Sequence, residues 1–195
     1  MYTSRIVAAN PAIFQNPLRP TPSEIADHLK TLEFTHWNHQ GKIKTGRMII
    51  HELVVNDLEA LTRLAFEIKF PIHKALPVSY YNFNDKSSCA SNNSSAHNMR
   101  TMSGNGRLSK HAATAFDINP MQNPCYELHP ETLELIEIIP ALGQYDTNVP
   151  GTLFLEHPLV QLMLERGWAW GGNWTFPKDM QHFQKVPPEL AHFFD

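Results

Sequence analysis

Two short segments carry residues of the types and spacing that hold a metal ion and work beside it. The segment LSKHAATAFDINP carries His111 and Asp117, and KDMQHFQK carries Asp179 three residues before His182. Two imidazole nitrogens and a carboxylate oxygen are ligands that zinc accepts readily, and a catalytic zinc site keeps one position for water. Bound zinc brings the pKa of that water toward about 7, which makes hydroxide available at neutral pH. Asp179 is the neighbouring candidate for the general base that takes the proton. Arg100, close upstream, offers a guanidinium to the oxyanion that forms when a peptide carbonyl is attacked. Ser109, two residues before His111, is a candidate to hydrogen-bond near the metal or to hold substrate. Spacing alone leaves an alternative open, in which these are a satisfied core histidine and surface carboxylates.

Elements must position these side chains. TAFDIN alternates as a strand does, with Ala115, Asp117 and Asn119 on one face and Phe116 and Ile118 toward the core. Residues 46–55, GRMIIHELVV, have the apolar, β-branched density of a strand. A helix follows, with Asn56 as cap, Glu59 completing a capping box, and Leu58, Leu61, Leu64, Ala65 and Ile68 as its buried stripe up to Pro71. An earlier helix is expected from Thr21, through Pro22 and Glu24, to about Leu32, since Ile25, Leu29 and Leu32 share a face. Residues 1–20 read as an irregular arm and 75–83 as a second strand. Residues 84–107 read as a long loop, whose place before the metal segment makes it functional. PETLELIEII, between Pro130 and Pro140, reads as a helix, as do residues 158–166 with Gly167 as a left-handed terminator.

At 195 residues the chain supports one substantial core. With no internal repeat or linker, residues 1–195 read as one domain: an N-terminal arm and helix over 1–44 and a catalytic core over 45–185. A net charge of −3 with scattered cations gives no bulk attraction to nucleic acid or an anionic membrane. Cys89 and Cys125 make no disulfide framework and read as idle thiols. No apolar run approaches the roughly 20 residues of a membrane span, and no basic-then-apolar secretory signal is visible.

Taken in order, NNSSAHNMR, LSKHAATAFDINP, GWAWGGNW and KDMQHFQK resemble the signature segments of a bacterial zinc peptidase family. That family comprises D-alanyl-D-alanine carboxypeptidases of the vancomycin-resistance type, D,D-dipeptidases and the L-alanyl-D-glutamate peptidases of phage lysins. The likeness covers roughly residues 45 to 185. It implies His111, Asp117 and His182 as the zinc ligands, Asp179 as general base, and Arg100 as the group that binds substrate and steadies the oxyanion. Ser109, Trp170 and Trp174 match family positions at the substrate. The implied fold is α+β, of the hedgehog/D,D-peptidase kind: a small, mainly antiparallel sheet with packed helices and zinc in a surface cleft. The implied substrate is the peptidoglycan stem peptide, cut by a monomer acting at the cell envelope. The family spaces its first two ligands seven apart with a glycine between; here the spacing is six without the glycine. The turn before the strand is expected to absorb the difference. A silent wall-peptide-binding module of the same fold and a metal-free interaction domain are the alternatives.

Overall fold

In this computed structural model, which describes residues 1–101 and 107–194, the chain opens on a strand rather than an irregular arm. Strand β1 (Ser4–Ala8) pairs antiparallel with β2 (Leu29–Trp37), and β2 pairs with β3 (Ile43–His51). The β2–β3 turn is set by Asn38, whose Oδ1 accepts from the backbone of Gln40 and Lys42, and by Gly41 at φ +65°. Between β1 and β2 lie two single-turn helices, α1 (Pro11–Phe14) and α2 (Ser23–Ala26). The expected helix to Leu32 therefore stops after one turn, and its second half is strand. Thr21 caps nothing; its buried hydroxyl meets His97 Nε2 at 3.2 Å.

Helix α3 (Val55–Glu67) buries Leu58, Leu61 and Ala65 against β2, as the stripe requires. Asn56 does not cap it: the cap position is Val54, without a side-chain bond. The expected strand over 75–83 is a brief β4 (Lys74–Ala75) followed by a 3-10 turn, Val78–Tyr81. The expected loop over 84–107 is largely ordered. It forms α4 (Asp85–Ala90), capped by Asn84 Oδ1, then β5 (Asn93–Ser94), then a buried strap to Met99; residues 102–106 of that stretch lie outside the described residues.

The C-terminal half uses β6 (Ala115–Asp117), β7 (Cys125–Leu128), β8 (Leu135–Ile139), α5 (Pro158–Glu165), β9 (Ala169–Trp170), β10 (Lys178–Asp179), β11 (His182–Gln184) and α6 (Ala191–Phe194). Strand β8 replaces the helix expected over 130–139. Ile136, Ile138 and Ile139 favour strand, and pairing with β7 satisfies their backbone. Helix α5 falls as expected, with Gly167 at φ +79° beyond its end. Among the described residues the antiparallel strands form three small sheets, β1-β2-β3, β10-β7-β8 and β6-β11-β9, beside one parallel pair, β4-β5. The single sheet anticipated from the family likeness is thus divided, while the mixed α and β character holds. One apolar cluster joins β2, β3 and α3 to Phe116, Met163, Trp168 and Phe183; a second gathers Phe14, Ile25, Leu29, Ile49, Leu190 and Phe194. Among the described residues no helix is long and apolar enough to cross a membrane.

Candidate metal centre

Strand alternation brings two ligands together. In the β6–β11 pair, His182 stands opposite Asp117 and Phe183 opposite Phe116. Successive side chains leave a strand on opposite faces. The two phenylalanine rings stack in the core at 5.1 Å, and His182 and Asp117 turn together to the other side. His111 arrives from the 3-10 turn Lys110–Ala112, capped by Ser109, whose Oγ accepts from the His111 N–H at 3.4 Å. This turn accommodates the six-residue spacing, since it lies outside the strand and leaves the register of β6 intact.

The strap Ser95–Arg100 closes the other side. Ser95 exchanges backbone hydrogen bonds with Asp117, at 3.0 and 2.7 Å. The Asn98 N–H donates to His111 O at 2.8 Å, and the Ser109 N–H donates to Arg100 O at 2.9 Å. His97 sits inside, its Nδ1–H on Ala112 O at 2.8 Å. The segment that composition marked as loop thus fastens the metal turn from behind.

His111 Nε2, His182 Nδ1 and an Asp117 oxygen lie within 4.8 Å of one another, and all three residues are buried. The separations are 3.1 Å between the nitrogens, 3.0 Å from His182 Nδ1 to Asp117 Oδ1, and 3.4 Å from His111 Nε2 to Asp117 Oδ2. Zinc bonds of about 2.0–2.2 Å at tetrahedral angles put ligand atoms roughly 3.3–3.6 Å apart, and the two nitrogens and the two Asp117 oxygens stand close to that spacing. The outer nitrogens agree. His111 Nδ1–H donates to Ala96 O at 2.9 Å, and His182 Nε2 meets Gln184 Oε1 at 3.2 Å. Each outer bond leaves the inner nitrogen as a bare lone pair aimed at a carboxylate, the arrangement by which a hydrogen bond to the far ring nitrogen orients a metal ligand. Three lone pairs converging in a buried space repel unless a cation sits among them. Without a metal ion the balance shows in the acidities. Burial works to raise Asp117, but His111 and His182 hold it below the usual carboxylate range. Burial works to lower His182, but its hydrogen bond to Asp117 raises it.

Asp179, on β10 opposite Cys125 of β7, stands beside this cluster. Its Oδ1 is enclosed and has no hydrogen-bond partner. Burial lifts its pKa to about 6, against the pull of the His182 charge. The GGN turn explains its placement: a Cβ on Gly171 would lie 2.5 Å from Asp179 O, so only glycine permits this approach. The two tryptophans part ways. Trp174 is partly exposed, its ring 5.3 Å from that of His182. Trp170 is 3% exposed, with its indole N–H on Met180 O, and lies under the site rather than in it. Ser109 serves the turn. Arg100 is partly exposed and ion-paired with Asp85, whose other oxygen accepts from Asn98 Nδ2 at 3.2 Å. Burial works against the Arg100 charge; Asp85 and Asp117 more than offset it. Cys89 and Cys125 are free and buried, and burial pushes both thiols far above their usual range, so neither is a nucleophile. Sequence reasoning missed Gln184 and Asp85. Gln184 was accessible in principle, two residues after His182 and so on the same strand face. Asp85 carries no sequence signal that ties it to Arg100.

A buried pair of imidazoles with a carboxylate, and a second carboxylate of raised pKa alongside, is a donor set that suits a mononuclear metallohydrolase. The family described as D-alanyl-D-alanine carboxypeptidase matches residues 103–185, a segment that holds all three candidate ligands and Asp179. No curated protein and no solved structure was found to match.

Proposed function

We propose that the chain is a zinc-dependent peptidase that hydrolyses peptidoglycan stem peptides, at a D-alanyl-D-alanine or an L-alanyl-D-glutamate bond. The observation that supports this reading best is the convergence of His111 Nε2, Asp117 and His182 Nδ1, beside a carboxylate with one unpartnered oxygen, inside the family-matched segment. Zinc, when held by these three residues, supplies a Lewis acid and lowers the pKa of water. The protein's own groups do the rest. Asp179, with its proton affinity raised to about 6, accepts a proton at Oδ1 from the attacking water and returns it to the leaving amine. Arg100 donates N–H groups to the charge that grows on the carbonyl oxygen. Trp174 forms one wall beside His182. The proposed setting is the bacterial cell envelope, and the proposed working form is a monomer with its cleft open at this wall.

The test is Asp179→Asn, assayed by mass spectrometry on purified peptidoglycan, with zinc measured by elemental analysis. Turnover is expected to fall by about 10²–10⁴, the usual worth of a general base, with zinc retained. Wild-type turnover in the variant would overturn the role of Asp179. Wild-type protein that binds zinc and releases no fragment would favour the silent binding module.

A further inference from the structure

We infer that Asp85 is the positioning residue for Arg100, fixing its guanidinium on the strap that braces the metal turn and compensating part of its charge. The inference rests on the peptidase reading above, because it concerns the group assigned there to the developing oxyanion.

The geometry forms a closed circuit. Asp85 Oδ2 contacts Arg100 Nη1, and Asp85 Oδ1 accepts from Asn98 Nδ2 at 3.2 Å. The backbone N–H of Asn98 donates to His111 O at 2.8 Å, and the Arg100 carbonyl accepts from Ser109, whose hydroxyl holds the His111 N–H. One route of bonds therefore runs from the metal-binding turn through Asn98 and Asp85 to the guanidinium. Asp85 itself is fixed in the first turn of α4, which Asn84 caps through the Ser87 N–H at 2.9 Å. The carboxylate is anchored at both ends of its reach.

This anchoring has chemical consequences. A free arginine carries about 2 kcal/mol of rotamer entropy, which a transition state would otherwise have to offset. A paired arginine has already lost it. The guanidinium has five N–H donors, and the contact with Asp85 engages Nη1 alone, so donors remain for substrate. The Asp85 charge also weakens the pull of Arg100 on an anionic group in the ground state. Arg100 is thereby directed toward the oxygen that gains charge during reaction rather than toward tight capture of a carboxylate. Asp85 acts through Arg100 and touches no reacting atom.

The test uses full-length, zinc-loaded protein and a peptide ending in D-alanyl-D-alanine. Asp85→Asn keeps the size and the Asn98 contact but removes the charge. Removing one oxyanion donor costs about 10²–10³ in turnover; loosening it should cost less, and kcat is expected to fall about tenfold with KM unraised. Asp85→Glu should restore at least a third of wild-type kcat. In an Arg100→Lys background, Asp85→Asn should add less than a twofold loss, as expected for two residues that act as one unit. Zinc content should stay at the wild-type level throughout. A second readout needs no turnover: the Arg100 Nη–H signals in 15N–1H spectra should be resolved and protected from solvent exchange in wild type and in Asp85→Glu, and averaged and unprotected in Asp85→Asn. Wild-type kcat in Asp85→Asn, or Nη–H signals indifferent to it, overturns the inference. So does a stability loss with kcat intact below the melting temperature, which marks a structural role only. If the wild type cleaves neither this peptide nor a stem peptide at its L-alanyl-D-glutamate bond, the peptidase reading fails, and the exchange measurement alone still decides whether Asp85 holds Arg100. If Asp85→Asn does not fold, loss of protection in Asp85→Glu overturns the inference, and retained protection with recovered kcat supports it.

Discussion

Gly171→Ala tests the proposed role of Asp179 by displacing the backbone that carries it. An alanine Cβ would lie 2.5 Å from the backbone oxygen of Asp179, 3.0 Å from its Cβ and 3.2 Å from the Trp174 ring, whereas ordinary contact begins at 3.4 Å. The nearest obstacle is backbone and cannot rotate away, so β10 must retreat by about 0.9 Å to restore that contact. Overpacking on this scale costs about 1–3 kcal/mol. Misplacing a catalytic group by about 1 Å costs about 10²-fold in rate. We therefore expect kcat to fall about a hundredfold while zinc stays bound, because no ligand lies on β10. Urea denaturation and turnover on a D-alanyl-D-alanine peptide measure the two effects. Gly41→Asn is the control: Gly41 has open space around its Cβ position and a left-handed backbone that asparagine tolerates, so turnover should not change. Turnover in Gly171→Ala within twofold of wild type would refute the claim that this glycine sets the position of Asp179.

Two further outcomes are expected. Chelation should lower the melting temperature: a ligand at a hundred times its Kd stabilises by about 2.7 kcal/mol, roughly 5–10 °C for a chain of this size. Asp117→Ala should melt at one temperature with or without chelator, and a chelator shift as large as that of wild type would remove Asp117 from the ligand set. His97 gives an acid-sensitive contribution. Burial lowers it from 6.5 to about 4, the Ala112 hydrogen bond opposes this, and the neutral ring is satisfied by Ala112 O and Thr21 Oγ1. The unfolded chain binds the proton first, so this stability is complete above pH 6.5 and is lost as pH falls from 6.5 toward 4. In metal-free protein, His97→Gln should narrow the stability difference between pH 7 and pH 4.5 by about 3 kcal/mol or less. An unchanged difference would show that His97 does not titrate across folding.

The candidate metal residues were legible because ligand chemistry is local: an imidazole or carboxylate in a patterned segment announces itself. The scaffold was legible where one face is buried, as in α3 and α5, and illegible where two are. Strand β2 buries Leu29 and Thr31 on one side and Leu32, Phe34 and His36 on the other. Its apolar spacing at 25, 29 and 32 therefore imitates a helix. The strap over 92–98 failed for the opposite reason. Its asparagines and serines are buried because their side chains take the place of a backbone ladder, as when Asn93 bonds Leu76 at both N–H and carbonyl. Asn119 does the same for His73, Pro71 and Gly151. Composition counts such residues as solvent-loving, and only tertiary structure shows where their hydrogen bonds go. Prolines at 130 and 140 framed a helix that the isoleucines between them overruled.

The pairing of His182 with Asp117 and of Phe183 with Phe116 gives the metal centre a second meaning. A slip of one residue between β6 and β11 would turn phenylalanine toward the ligand face and send an imidazole into the apolar core. Only one alignment of these two strands assembles a chelating pocket. Zinc uptake during folding would therefore proofread the zipper: chains that close in the correct register are captured, and misaligned ones, having no affinity for the ion, stay free to reopen.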